Sequence, residues 1–344
     1  MSSPGFTVLP DSPLANSFAL PARARCLYQV DDVDALPGAL QQAGATALML
    51  GGGSNLLFVA EQIDSAVQVL DKRIAISEST DARISISVTA CAGMLWHEFV
   101  MHCLAAGAYG LENLALIPGT VGAAPIQNIG AYGVEVMDLI TAVQVHDRHS
   151  GQTRWWSHAE CGFSYRDSAF KAEPQRYAVL RVKFALWRQP RLQLAYAGLD
   201  TELARAGISA PTPQDVAAAV MRIRQRKLPD PQRIGNAGSF FKNPIVPQPR
   251  ADALRAQYPN LPVFAAGRAG YSKLSAAWLI EQCGWKGKRQ GDAGVSAEHA
   301  LVLVNHGAAR GSELLALARE IAASVAARFA VNIEPEPRLI GAHW

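Results

Sequence analysis

The sequence predicts a mixed α/β protein of more than one domain, and three observations carry that prediction. Short strand-like and helix-like patterns alternate through the first part of the chain. A long Gly- and Pro-rich stretch without periodicity covers residues 116–133, and a proline-marked bend at Pro211 and Pro213 precedes a set of longer helices. With 344 residues, 49% of them hydrophobic and 18% charged, the chain can fill more than one core. At about 100–200 residues per domain, two or three domains are expected.

Taken in order, residues 1–17 read as a polar tail. A short helix follows over 34–42 and stops at Gly44, whose missing Cβ suits a left-handed cap. A strand over 47–50 runs straight into Gly51-Gly52-Gly53-Ser54-Asn55. A strand at 67–70 and the alternation Ile84-Ser85-Ile86-Ser87-Val88 continue the layout. Residues 94–106 read as a helix ended by Gly107, and strands are expected at 143–146 and 179–187. Thr212 can cap a helix that has Pro213 in its first turn, reaches about Lys227 and stops before Pro229. The last region holds a helix over 274–283, a buried strand over 300–304, and a helix over 312–329 whose Ala and Leu spacing means packing. Residues 331–340 are extended, and their two prolines argue for an edge position.

Several function classes are excluded at this level. The net charge is +3 and the 32 Lys and Arg are spread along the chain, which does not suggest a nucleic-acid binder. The five cysteines are scattered with no CxxC pair, which fits free thiols in a reducing compartment. The first ten residues lack the basic and apolar regions of an export signal, so a cytoplasmic protein is expected. Residues 104–126 look briefly membrane-like, but Glu112, Asn113 and two prolines interrupt them, whereas a span needs about 20 nearly unbroken apolar residues. His97-Glu98 and His102 superficially suggest a zinc helix, yet five residues place the two rings about 140° apart, and no metal is expected.

Three segments can carry chemistry. The loop Gly51-Gly52-Gly53-Ser54-Asn55 follows a strand, so its backbone N–H groups can converge on a phosphate. A plain tight turn is an equally good reading of it alone. In residues 117–133 many small residues stand beside Thr120, Gln127 and Asn128, giving a backbone able to approach a large planar cofactor closely. The other reading is a buried hairpin loop, although structureless loops of this length usually have a function. In Gly235-Asn236-Ala237-Gly238-Ser239-Phe240-Phe241-Lys242-Asn243-Pro244 a serine lies between a glycine and two aromatics. No GxSxG or suitably spaced His and Asp accompanies it, which disfavours a hydrolase nucleophile and leaves a ligand-facing or a capping hydroxyl.

Residues 50–56, the run 118–133, Ser164-Tyr165-Arg166-Asp167-Ser168, the run 235–244, and Glu334-Pro335-Glu336-Pro337-Arg338 stand in an order and spacing that resemble the UDP-N-acetylenolpyruvoylglucosamine reductase family. The resemblance covers about residues 18–341, and the Tyr196 and Lys227 regions resemble its longer, enterobacterial-type branch. It implies an α+β protein. A two-part flavin-binding region of the vanillyl-alcohol oxidase kind would occupy 18–205, divided near 75/76, a substrate-binding domain 206–330, and a strand over 331–344 would return to the flavin region. It also implies non-covalent FAD, NADPH as hydride donor, and reduction of the enolpyruvyl ether of a UDP-sugar to a lactyl ether; a monomer is expected.

The resemblance further implies roles for residues. Hydride arriving at the vinyl carbon leaves negative charge on its neighbour and the carboxylate, and donors must be waiting there. Arg166 matches the arginine given that task, Glu336 the glutamate that polarises or protonates the enol, and Ser239 the proton donor. Gly51, Gly52, Gly53, Ser54, Asn55, Gly119, Thr120, Ala123, Gln127, Asn128 and Arg338 would line FAD. Tyr132, Arg166, Tyr196, Lys227, Asn243 and Phe264 would hold the UDP-sugar, with Lys227 suited to pyrophosphate. Phe264 stands where the longer branch has a tyrosine closing over uridine, and Tyr258 and Tyr271 flank it. A flavin dehydrogenase of a hydroxy acid or sugar lactone, or a non-catalytic nucleotide-sugar sensor, would share parts of this pattern.

Overall fold

Phe6–Pro13, inside the stretch expected to be a tail, is a strand that pairs antiparallel with Arg23–Val30 in a computed structural model describing residues 5–78, 86–196 and 198–344. Pro10 and Pro13 hide the strand from a pattern search, and the edge position explains why they are tolerated. The sheet runs Phe6–Pro13, Arg23–Val30, Gln62–Val69, Leu48–Leu50, and its inner pairings are parallel. Helix Leu36–Ala43 covers it with Leu36, Ala39 and Leu40, and ends at Gly44 with φ 88° as expected. The strand expected at 47–50 is the three-residue Leu48–Leu50, and the one expected at 67–70 is the C-terminal part of Gln62–Val69.

Asp71 closes the end of this sheet. Its carboxylate accepts the Val33 and Arg73 N–H groups at 3.0 Å each and the Arg73 Nε at 2.9 Å. Burial pushes its pKa up, but these donors outweigh burial and hold it at about 2. A carboxylate whose folded pKa is depressed stabilises fully above its unfolded pKa of about 3.9 and loses that contribution as pH falls toward the folded value. Arg73 is largely exposed and screened. Asp71→Asn should therefore cost on the order of 1–2 kcal/mol in urea melts at pH 7, and the gap to wild type should shrink between about pH 4 and pH 2.

The second sheet is antiparallel throughout, in the order Thr153–Ser157, Ile140–Asp147, Tyr177–Leu186, Ile86–Cys91, Ile74–Glu78. Of the alternating segment expected at 84–88, Ile84 and Ser85 lie outside the described residues. Helix Trp96–Ala105 packs on this sheet, with Phe99 and Phe184 ring centroids 4.8 Å apart. The Trp96 indole donates to the Leu114 carbonyl at 2.9 Å, which ties residues 111–116 to the helix. Helix Pro213–Lys227 buries Val216, Ala217, Val220 and Ile223 in the same core, and Thr212 caps it by accepting the Asp215 N–H at 3.2 Å.

By packing, the chain divides into two compact units. One runs to Pro13 and adds Arg23–Gly52 and Gln62–Arg224; the other holds Leu14–Ala22, Gly53–Glu61 and Gln225–Trp344. The division expected at 205/206 thus falls at 224/225, because the helix after the proline bend buries its apolar face in the first unit's core. The second unit contains the sheet Gly235–Ser239, Val302–Asn305, Ala293–Val295, Arg289–Gln290 and the smaller sheet Ile245–Pro247, Tyr271–Leu274, Val263–Ala265. Helix Gly311–Phe329 matches its expectation. The helix expected at 274–283 is shorter, Ala276–Gln282, because Ser275 caps it by accepting the Trp278 N–H. The extended tail forms only the short strand Arg338–Ile340, parallel to Leu56–Phe58.

Candidate functional site

In the first unit, an open cleft lies where the 48–50 strand ends. Leu50, Gly51, Ala92, Thr120, Gly122 and Ala123 are among its walls. The two Gly-rich segments meet backbone to backbone: a Cβ on Gly52 would stand 3.1 Å from the Gly119 Cα, and one on Gly122 only 2.5 Å from the Ala92 Cβ. A side chain at Gly122 would force the backbone apart, and one at Gly52 would crowd the facing Gly119. Gly51, Thr120 and Ala123 thus share one cleft, and Gly52 and Gly119, which meet each other, are the chain neighbours of Gly51 and Thr120. A narrow cleft between small residues, with a glycine loop at its end, suits a flat ring system joined to a phosphate. None of the residues lining it is a histidine or cysteine.

Asn128 is tied into the protein through its side chain. Its side chain is fully buried. Its amide donates to Glu135 Oε2 and the Ser164 carbonyl, both at 3.0 Å, and its Oδ1 accepts the Met137 N–H at 3.0 Å. Arg166 lies on the tight turn 164–167, in the left-handed region with φ 54°. Its guanidinium donates to the Gly130 carbonyl at 2.6 Å and the Asn128 carbonyl at 3.3 Å, and lies over the Tyr165 ring.

Tyr132 and Tyr196 also come together, ring centroids 5.0 Å apart and edge-on. Asn113 holds both segments, donating to the Tyr132 and Gln193 carbonyls at 2.8 and 2.9 Å. Sequence reasoning missed their neighbour Arg224. Burial pushes its guanidinium below the usual pKa, with Tyr132 opposing, and its Nε donates to the Leu116 carbonyl at 3.2 Å. Its position on a helix face expected only to pack gave no signal.

In the second unit, residues far apart in sequence converge. The Glu336 N–H donates to the Phe240 carbonyl at 2.7 Å, and Phe241 bridges to Pro335. This puts the Glu336 backbone one residue from Ser239. The Asn55 amide donates to the Glu336 carbonyl at 3.3 Å, and the Arg338 N–H to the Asn55 carbonyl at 3.0 Å. Ser54, Asn55, Ser239, Glu336 and Arg338 therefore form one neighbourhood. Ser239 is half-buried, and its hydroxyl makes no hydrogen bond to a described residue. A register shift in the sheet between Asn236 and Ser239, with Gly238 at φ 70°, sets it apart from the regular ladder.

Lys227, exposed at its helix C-terminus, shares its electrostatic surroundings with Lys286 and His299. Burial and then the two lysines push the His299 pKa down, and its Nδ1 accepts the Leu301 N–H at 3.2 Å. Neither partner of Lys227 was legible in the sequence. Asn243 spends its Oδ1 on the Ala276 N–H at 2.9 Å, so its amide hydrogens are what it offers a ligand. Phe264 is 48% exposed, in one cross-strand row with Lys273 and Ile245. Tyr258 packs on Trp278 and Phe329, and Arg268 covers Tyr271 at 4.1 Å, so of the three flanking rings Phe264 is the one presented to solvent. Among the described residues no group of three or more His, Cys, Asp or Glu could hold a metal ion, and no helix is long and apolar enough to cross a membrane. His97 accepts the Leu116 N–H at 3.1 Å.

The glycine-walled cleft has a matching family description: residues 21–157 match an FAD-binding domain. The fold and cleft thus define a flavoprotein. Residues 230–340 match the C-terminal domain of UDP-N-acetylenolpyruvoylglucosamine reductase. The chain is 53% identical to the UDP-N-acetylenolpyruvoylglucosamine reductase of Xanthomonas euvesicatoria, covering 96% of this chain and 94% of that protein. It is 50% identical to the reductase of the same name from Xylella fastidiosa, covering 100% and 99%. The crystal structure of UDP-N-acetylenolpyruvylglucosamine reductase from Thermus caldophilus is similar at TM-score 0.63 and 27% identity, over 97% of this chain and 98% of that one. The chain belongs to the UDP-N-acetylenolpyruvoylglucosamine reductase family.

Proposed function

We infer that the protein reduces UDP-N-acetylglucosamine enolpyruvate to UDP-N-acetylmuramate in peptidoglycan precursor synthesis, with NADPH as the source of hydride. The observation that carries the reading is the convergence of Ser239, Glu336 and Asn55 in one neighbourhood of a chain that belongs to this family. FAD, when bound, supplies the hydride carrier between NADPH and the enolpyruvyl group. The cleft of the first unit suits it: Gly51, Gly52, Gly119, Thr120 and Ala123 would hold it there. Arg166 orients the substrate carboxylate and stabilises charge developing beside it, as a planar guanidinium suits. Glu336 polarises the enol, and Ser239 gives the proton. Tyr132, Tyr196, Lys227 and Asn243 hold the nucleotide sugar. The enzyme acts as a cytoplasmic monomer of the family's longer branch.

The deciding experiment is NADPH consumption with and without the UDP-enolpyruvyl sugar; turnover that does not depend on the sugar sinks the reading and leaves a sensor or another flavin dehydrogenase. Since no histidine or cysteine lines the cleft, purified protein should be yellow and release all its flavin on acid and heat denaturation. Yellow colour retained on the precipitated chain would show a covalent link.

Phe264 gives a third expectation. It is exposed, so its ring contributes only once a ligand covers it, and equally before and during the reaction. Phe264→Ala should raise KM roughly tenfold or more and leave kcat within about twofold. An unchanged KM would pass the role to Tyr271 or Tyr258.

A further inference from the structure

We propose that Asn128 is a positioning residue for Arg166, holding the turn and the guanidinium in one grip, and that it makes no contact with the cofactor. The inference rests on the role assigned to Arg166 above. The turn that carries Arg166 is closed at both ends, Ser164 and Asp167 exchanging N–H···O bonds of 3.1 Å. The Ser164 carbonyl at the base of that turn also accepts the Asn128 amide at 3.0 Å, while the Asn128 carbonyl accepts the Arg166 guanidinium at 3.3 Å. One residue thus fixes both where the arginine starts and where its head group ends. Its second amide hydrogen bond, to Glu135, and the Met137 N–H on its Oδ1 anchor it to the neighbouring hairpin.

The residue type follows from this geometry. The backbone at 128 has φ 44°, which asparagine tolerates better than most non-glycine residues. The site demands an N–H donor toward Ser164 and Glu135 and an acceptor toward Met137, which a primary amide supplies at once and a carboxylate does not. Arg166 itself sits at φ 54°, a strained conformation that surrounding bonds must impose. The Asn128 and Gly130 carbonyls that accept its guanidinium hold it in one orientation. Lys171 adds a bond from its Nζ to the Arg166 carbonyl at 2.9 Å.

Asn128→Gly tests this, because glycine keeps the backbone angle and the carbonyl while deleting the amide. Flavin content, melting temperature, the two half-reactions and equilibrium affinity for the UDP-enolpyruvyl sugar would be measured for Asn128→Gly, Arg166→Lys and the double variant. Expected for Asn128→Gly are full flavin content, NADPH oxidation in the first half-reaction within about threefold of wild type, and enolpyruvyl reduction slowed on the order of 30-fold or more, since displacement of about 1 Å can cost 10²-fold. The double variant should be no slower than Arg166→Lys by more than about threefold, because the two act through one group. Multiplicative effects, or loss of flavin with enolpyruvyl reduction intact, would overturn the proposal. If Asn128→Gly does not fold, Glu135→Ala removes one acceptor of the same amide and should give the same pattern in weaker form; an equal slowing of both half-reactions there overturns it too. An Arg166→Lys enzyme with wild-type enolpyruvyl reduction would instead refute the role of Arg166, and the positioning role with it.

Discussion

Ser239→Ala is expected to leave the loss of flavin absorbance on mixing with NADPH within about twofold of wild type, and to slow its return on adding the UDP-enolpyruvyl sugar by at least about 10³-fold. Nicotinamide needs no proton from the protein to give up hydride. The enolpyruvyl group does need one, because hydride at its terminal carbon leaves a carbanion-like neighbour that must be protonated before the reaction reverses. An alcohol is a weak acid, adequate only against so basic a carbon and only at contact distance. The Ser239 hydroxyl meets the first requirement for such work, since no described residue takes its proton in a hydrogen bond. General-acid groups contribute typically about 10²- to 10⁴-fold, roughly 3 to 5 kcal/mol. Ser239→Cys should restore part of the loss, a thiol being able to donate from the same place. Equal slowing of both half-reactions would make Ser239 a binding or structural residue.

Much of this arrangement was legible in the residues, and what was hidden was hidden for physical reasons. Gly44, Gly107 and Thr212 mark helix ends because caps have local chemistry, and the helices at 36–43, 96–105 and 213–227 end or begin beside them. The strand Phe6–Pro13 escaped because its prolines are permitted only by its place at an edge, and place is a property of the sheet. The second unit's claim on residues 14–22 and 53–61 escaped because it arises from tertiary packing of short segments without periodicity. Among site residues, Ser239, Glu336 and Asn55 were singled out by motif, but their meeting depends on strand Arg338–Ile340 lying parallel to Leu56–Phe58, a pairing across more than half the chain. Arg224, Lys286 and His299 carried no local signal, since an ordinary helix face or surface loop would use the same residues. The bond from the Asn128 amide to the Ser164 carbonyl, across 36 residues, carries no local signal either.

Gly52→Val should produce a colourless protein whose affinity for added FAD is lower by about 100-fold or more. The Gly52 Cβ would meet the Gly119 Cα at 3.1 Å and the Gly119 carbonyl carbon at 3.6 Å. Both are backbone atoms, so nothing can rotate aside, and two branched methyl groups beyond the Cβ enlarge the conflict. The segments must part, and they are the ones that carry the cleft-lining Gly51, Thr120 and Ala123. Separation of the two segments removes close contact along both faces of a flat ligand; a 100-fold loss is about 2.7 kcal/mol, the sum of roughly twenty atom pairs at about 0.1–0.2 kcal/mol each. Gly44→Ala is the control, since Gly44 has φ 88° with nothing within 4 Å of its Cβ and stands at a helix end. Strain there should cost about 1 kcal/mol of stability and leave the flavin bound. Flavin absorbance per protein chain and a titration of apoprotein with FAD distinguish the two. Gly52→Val protein that remains yellow with unchanged FAD affinity would show that the cleft between these two glycine segments is not where the cofactor lies.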